Sequence, residues 1–215
     1  YALLDASPIG SARFAQLFPA IEQECRSHGL APGHDLLPVM PVAHYLCGGI
    51  AIDDCGRTSM PGLMALGECA GSGLHGADRL ASNSLLEALV IPRRAALATL
   101  ELQPKGTSPP LPRIVRSKLS RKTPEPVVRA LAGLRHAMSA HVGIVRDHEG
   151  MAMALRSIAH CERAIAPMWL RRRWSAALMD LRDLAAVARA ITEAAVAEPR
   201  SIGAHHLEER EHAAL

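Results

Sequence analysis

PVMPVAHYLCGGIAIDDCGRTSMPGLMALGECAGSGLHGADRLASNSLLEALV, residues 38–90, carries 8 of the 16 glycines of the 215-residue chain, all between Gly48 and Gly76. The run AHYLCGGIAID, residues 43–53, has the short apolar character of a strand, and Asp54-Cys55-Gly56-Arg57 supplies turn residues that would fold it back as a hairpin. Pro61-Gly62 turns into Leu63-Met64-Ala65-Leu66, a buried-strand candidate that ends at Gly67. Beyond the glycines, Ser82-Asn83-Ser84 offers N-cap side chains to a helix with Leu85, Leu86, Leu89 and Val90 on its stripe, which Pro92 should bend or end. Glycines let backbone approach a ligand closely, and a helix N-terminus behind them aims free N–H groups and a positive dipole end at it.

Outward from this stretch the chain changes character. Before it, Phe14, Leu17, Phe18, Ile21 and Cys25 recur at helical spacing, interrupted or restarted at Pro19 and closed by Gly29. After it, residues 103–112 hold four prolines and a Gly-Thr-Ser run, the composition of a linker. Thr123-Pro124-Glu125 then opens a helix with Val127, Val128, Leu131, Leu134 and Met138 on one stripe, and Asp147 caps a second with Met151, Leu155, Ile158 and Ile165. A third carries Leu178, Leu181, Leu184, Val187 and Ile191. The expected fold is an α+β fragment: a strand, hairpin and glycine-rich segment followed by a C-terminal three-helix bundle in up-down-up order. The expected boundaries are 1–103 for the glycine-rich part, 104–122 for the linker, 123–198 for the bundle and 199–215 for an irregular tail.

Composition excludes several classes. Only 3% of residues are aromatic, so the core must be aliphatic and alanine-built, and stacking platforms for single-stranded nucleic acid are lacking. A net charge of +3 is too small for a polyanion-binding surface. The run Arg171-Arg172-Arg173, between Trp169 and Trp174, reads as a solvated helix start with its stems packed on indole. Cys25, Cys47, Cys55, Cys69 and Cys161 are odd in number and form no CxxC pair, so neither a disulfide framework nor a metal site is expected, and a reducing cytoplasm fits. No run of about 18 apolar residues suggests a membrane span. The chain opens without Met, which suggests a fragment.

Gly71 to Gly76, GSGLHG, satisfies GxGxxG between a strand and a helix, but the acidic residue a dinucleotide unit needs about twenty residues on is missing. The longer string is more specific. From Pro38 to Ala96 it resembles the flavoprotein family of L-aspartate oxidase, succinate dehydrogenase and fumarate reductase, with weaker echoes in HVGIVRDHEG and ALMDLRDLAAVARAI. Cys47, Arg57-Thr58 and Glu87 favour the aspartate oxidase branch over the respiratory members.

The resemblance implies a noncovalent FAD site, with Glu68 contacting the cofactor and the Ser84 and Leu85 backbone meeting the pyrimidine edge of the flavin. It implies that Arg79 and His44 clamp a dicarboxylate, and that the activity is oxidation of L-aspartate to iminoaspartate, with a quinolinate synthase step downstream on the way to NAD. A guanidinium fork suits such a clamp because two parallel hydrogen bonds fix both position and rotation of a carboxylate. On residue types alone, Glu68 and Arg79 are equally readable as surface side chains, His44 as a satisfied strand-end histidine, and His75 as ligand-proximal or structural; Arg93 and Arg94 are expected to face solvent. Asp78 and Asp183 stand where the family usually has asparagine, and EPRSIGAHH departs from its C-terminal motif. That puts the aim of Arg79 and the docking of the last helix in question. The family's diphosphate site, its capping domain and its proton-transferring arginine are expected upstream of Tyr1. The alternatives are a succinate dehydrogenase or fumarate reductase segment, or a truncated, non-catalytic helical interaction protein.

Overall fold

The computed structural model describes residues 2–101, 122–171 and 174–208. The chain divides into two compact units, Tyr1–Ala43 and His44–Leu215. In the first, strand β1 (Ala2–Leu4) pairs antiparallel with β2 (Leu37–Val39). Between them lie helices α1 (Ser11–Leu17) and α2 (Pro19–Ser27), split at Phe18, where Pro19 opens the second helix because its missing N–H would have no intrahelical acceptor there in any case. Gly29, with φ +76°, takes the chain out of α2. Ala6, Phe14 and Leu37 form the small core, with Cys25 and Leu30 against it.

The second unit begins with the glycine-rich stretch. The hairpin expected there takes a different form: β3 is only Ile50–Ala51, and it pairs parallel with β4 (Ala70–Gly71), not with the residues after the turn. Backbone proximity decides this. A side chain at Gly49 would meet the Cys69 carbonyl oxygen at 2.3 Å, so only glycine lets these two segments run together. The Asp53–Arg57 turn does form, with Asp53 Oδ1 accepting from the Cys55 and Arg57 N–H groups at 2.9 Å each. It leads to a single antiparallel bridge, Arg57 to Met64, so residues 63–66 are not a strand of their own.

Helix α3 (Asn83–Leu100) runs on through Pro92 instead of ending there. A proline costs one intrahelical hydrogen bond, a loss that the flanking turns of an 18-residue helix outweigh. Arg93 and Arg94 are exposed on it. Helix α4 (Glu125–His141) has Pro124, not Thr123, at its N-cap. The 104–122 linker lies outside the described residues except for Lys122, as do Arg172 and Arg173.

Helices α4, α5 (His148–Leu170) and α6 (Ala176–Ala197) share one core of Val127, Leu134, Ile158, Cys161, Ile165, Leu178, Leu181, Ala185 and Ala188. Asp147 caps α5, accepting from the Gly150 N–H at 2.7 Å. The buried stripe of α6 departs from expectation after its first turns. Leu178 and Leu181 are fully buried, but Leu184 and Val187 are 45% and 49% exposed, and Ala185, Ala188, Thr192 and Ala195 face inward instead. Small residues let the helices approach, and Thr192 satisfies its hydroxyl on the Ala188 carbonyl. Arg189 of α6 forks onto Glu162 of α5, which holds that carboxyl below its usual range. Asp183 pairs with neighbouring Arg182 on the exposed face, so it does not hinder docking of α6. Arg182 covers the Trp169 ring, and Arg171 closes α5 rather than opening a helix.

The described part of the tail, residues 199–208, holds a short strand. His206–Leu207 forms β6, parallel to β5 (Val145–Arg146), and Arg146 hydrogen-bonds His205 at 2.8 Å. Gly203, with φ +56°, sits where a Cβ would come within 2.3 Å of the Ala77 carbonyl oxygen, and the Ala204 N–H donates to that oxygen. Leu181→Ala is expected to cost about 2–5 kcal/mol in denaturant unfolding, whereas Leu184→Ala should stay within about 0.5 kcal/mol of the parent.

Candidate functional site

The N-terminal turn of α3 and the loop Gly71–Arg79 meet on one buried carboxylate. Glu87, 2% exposed, accepts from Ser72 Oγ on Oε1 and from Tyr45 Oη, at 3.1 Å, on Oε2. His75 Nε2 lies 2.8 Å from the same Oε2, which places its proton on Nε2. Burial alone would push the Glu87 carboxyl up, but the bonds from Ser72, His75 and Tyr45 and the charge of His75 outweigh it and hold it below the usual carboxylate range. Tyr45 is shifted the other way: burial, then the Glu87 hydrogen bond and charge, raise its phenol.

The Tyr45 ring is held on three sides. Its hydroxyl is on Glu87, the His75 ring stands against it edge-on at 5.2 Å and 81°, and the Arg79 guanidinium lies over it at 4.9 Å from the centroid. Arg79 is half-buried, and its Nε is buried without a hydrogen-bond partner. Among the described residues no ion pair joins it to Asp78, so the acid at that position does not draw it away.

The other expected site residues surround this group. His44 is exposed and immediately precedes Tyr45; no hydrogen bond joins it to Arg79. Glu68, in a short 3-10 turn (Gly67–Cys69), is exposed, and its Oε1 accepts from the Leu46 N–H at 3.3 Å. Ser84 and Leu85 fall in the first turn of α3, Ser84 half-buried and Leu85 68% exposed. Ser82 occupies the N-cap, but its φ of +67° turns its hydroxyl away from capping, contrary to the expectation for Ser82-Asn83-Ser84. The Ser82 side chain makes no cap hydrogen bond; the Asn83 N–H donates to the Leu80 carbonyl at 3.2 Å and the Leu85 N–H to the Ser82 carbonyl at 3.1 Å. That end is suited to an electron-rich group such as a flavin pyrimidine edge, and Glu68 beside Leu46 suits a hydroxyl-bearing part of the same cofactor; the residues present fit FAD.

Ser72, Glu87 and Tyr45 were not singled out as site residues from the sequence. The available signal was Glu87 itself, a carboxylate inside the apolar run LLEALVI, which has to find donors if that face is buried.

The fold is that of the flavoproteins of the fumarate reductase type. Residues 1–85 match the FAD binding domain model and residues 132–213 the fumarate reductase flavoprotein C-terminal model. The chain is similar over 97% of its length to a variant of E. coli quinol fumarate reductase FrdA, with 26% identity and a TM-score of 0.76, covering 39% of that chain. With Mycobacterium smegmatis Sdh1 the TM-score is 0.72 at 26% identity, over 96% of this chain and 37% of that one. Curated relatives are closer in sequence: L-aspartate oxidase of Rhodospirillum rubrum is 41% identical over 206 residues, 95% of this chain and 69% of the relative. L-aspartate oxidase 1 of Ralstonia nicotianae is 39% identical over 204 residues, 94% of this chain and 38% of its own length. The chain belongs to the L-aspartate oxidase family. It spans 69% of one of these relatives and 38% of the other.

Because the folded-state value of Glu87 lies below its unfolded value, its contribution to stability is complete above the ordinary carboxylate pKa, ~4.3, and is lost as pH falls through the depressed one. Glu87→Gln should flatten that acid limb; stability profiles from pH 7 downward that run parallel in both proteins would contradict it.

Proposed function

We propose that this chain supplies one wall of the active site of an FAD-dependent L-aspartate oxidase, acting on L-aspartate to give iminoaspartate. The observation that carries this is Arg79: a guanidinium seated on an aromatic face, its Nε buried and without an acceptor, a few residues before the N-terminus of α3. A substrate carboxylate satisfies such a fork. The names of the relatives support aspartate as the dicarboxylate.

Bound FAD supplies the acceptor for the hydride that leaves the substrate Cα. Arg79 binds one carboxylate and fixes the rotation of the Cα–H bond. His44, exposed next to Tyr45, donates to the second carboxylate. The start of α3 at Ser84 and Leu85, with the helix dipole behind it, would hold the pyrimidine edge of the ring, and Glu68 would contribute a further polar contact. The cofactor is held noncovalently, and oxygen or fumarate takes the electrons in the end.

Five free cysteines fit a reducing cytoplasmic setting, and among the described residues no helix is long and apolar enough to cross a membrane. The product suits a quinolinate synthase step. A succinate dehydrogenase or fumarate reductase activity is the second reading, favoured by the similarity to FrdA. Turnover of L-aspartate against succinate by the flavin-loaded protein carrying this chain separates the two, and failure to take up FAD would instead leave a helical interaction protein. Arg79→Ala is expected to lower kcat/KM for L-aspartate by about 10²-fold or more, since loss of a charged bidentate partner costs about 3–5 kcal/mol; an unchanged value would remove Arg79 from the clamp.

A further inference from the structure

We propose that Tyr45 and Glu87 are positioning residues that hold the Arg79 guanidinium ready for a substrate carboxylate without occupying its donors. This rests on the reading of Arg79 as the clamp and adds what aims it.

An arginine fork can be fixed by a protein carboxylate or by an aromatic face, and the two have opposite consequences. A carboxylate takes the same parallel N–H donors that a ligand carboxylate would use, so it competes with substrate. An aromatic face attracts the cation through its quadrupole and leaves every in-plane N–H free. Arg79 has the second arrangement: Tyr45 lies 4.9 Å below the guanidinium carbon, Asp78 makes no ion pair with it, and its buried Nε has no acceptor.

The face works only if the ring stays where it is. Tyr45 follows exposed His44 in irregular chain, so no helix or strand fixes its side chain. Glu87 does so, by accepting the phenol proton at 3.1 Å from a rigid site in α3. Glu87 is itself fixed by Ser72 and by His75 at 2.8 Å, and His75 then braces the ring edge-on. The hydrogen bond to an ionised carboxylate also enriches the phenol ring in electron density, which strengthens its hold on the cation. Ser72 and His75 belong to the same loop that delivers Arg79, so Glu87 ties the start of α3, the ring and the guanidinium loop to one point.

The test is a double-mutant cycle on the flavin-loaded protein carrying this chain, with kcat and KM for L-aspartate measured for Tyr45→Phe, Tyr45→Leu, Arg79→Ala and the double variants. Tyr45→Leu, which removes the face, is expected to raise KM by ~3–30-fold with a smaller change in kcat, the range of a partly desolvated cation–π contact. Tyr45→Phe, which keeps the face but releases it from Glu87, should lie between Tyr45→Leu and the parent. In the Arg79→Ala background neither substitution should change KM further. If Tyr45→Leu costs the same with and without Arg79, Tyr45 serves only folding and the proposal fails while the clamp stands. A Tyr45→Phe protein equal to the parent removes Glu87 from the device. Should Tyr45→Leu not fold, the Tyr45→Phe pair, with and without Arg79, decides by the same coupling. If Arg79→Ala itself leaves KM and kcat unchanged, the clamp and its positioning fall together.

Discussion

A carboxylate taken out of water must be given donors, and the site half of this protein is organised by that demand. Glu87 is almost fully buried and draws one donor each from Ser72, His75 and Tyr45. Leaving any of those groups unpaired would cost about 1–3 kcal/mol, so the three segments that carry them are committed to meeting. Once they do, the first turn of α3, the loop through His75 and the chain after His44 have few remaining freedoms. The close approach at Gly49 and the short parallel pair β3–β4 then bring Glu68 and Leu46 together at the edge of the same group.

What could be read from the sequence follows the range of the forces involved. The break at Pro19, the Asp147 cap and a turn at Asp54–Arg57 depend on residues a few places apart and are legible, although it is Asp53, assigned to the strand before it, whose carboxylate closes the turn. The partner of β3 was not, because nothing local says that Gly49 will lie on the Cys69 carbonyl rather than across the following turn. On α6 the helical period is legible but the choice of face is not: close helix contact places Ala185, Ala188 and Ala195 inside and leaves Leu184 and Val187 at the rim. Arg79, His44, Glu68, Ser84 and Leu85 could be named through the family likeness. The buried partners Ser72 and Tyr45 could not, and Glu87, which marks the aspartate oxidase branch, gave no sign of its donors, since hydrogen bonds between residues 15 and 42 positions apart leave no periodic trace.

The two departures from the family that raised most doubt lie on exposed surface. Asp78 leaves Arg79 alone, and Asp183 is matched by Arg182. The residues that would have been costly to change are quieter ones, glycines with no room for a Cβ and alanines between helices. A change of charge at the surface is screened by water and counter-ions; a change of volume in a closed contact is not.

Gly203 lies against the Ala77 carbonyl, two residues before Arg79. Its consequence concerns the order of events during synthesis. The turn that carries the guanidinium is translated first of the two, yet the donor to its Ala77 carbonyl, the Ala204 N–H, belongs to a segment made more than a hundred residues later, on the order of ten seconds at ribosomal rates. Until that segment leaves the ribosome the Ala77 carbonyl must be kept in water, so the nascent site stays open on that side, and its closure waits for the helical half to be complete.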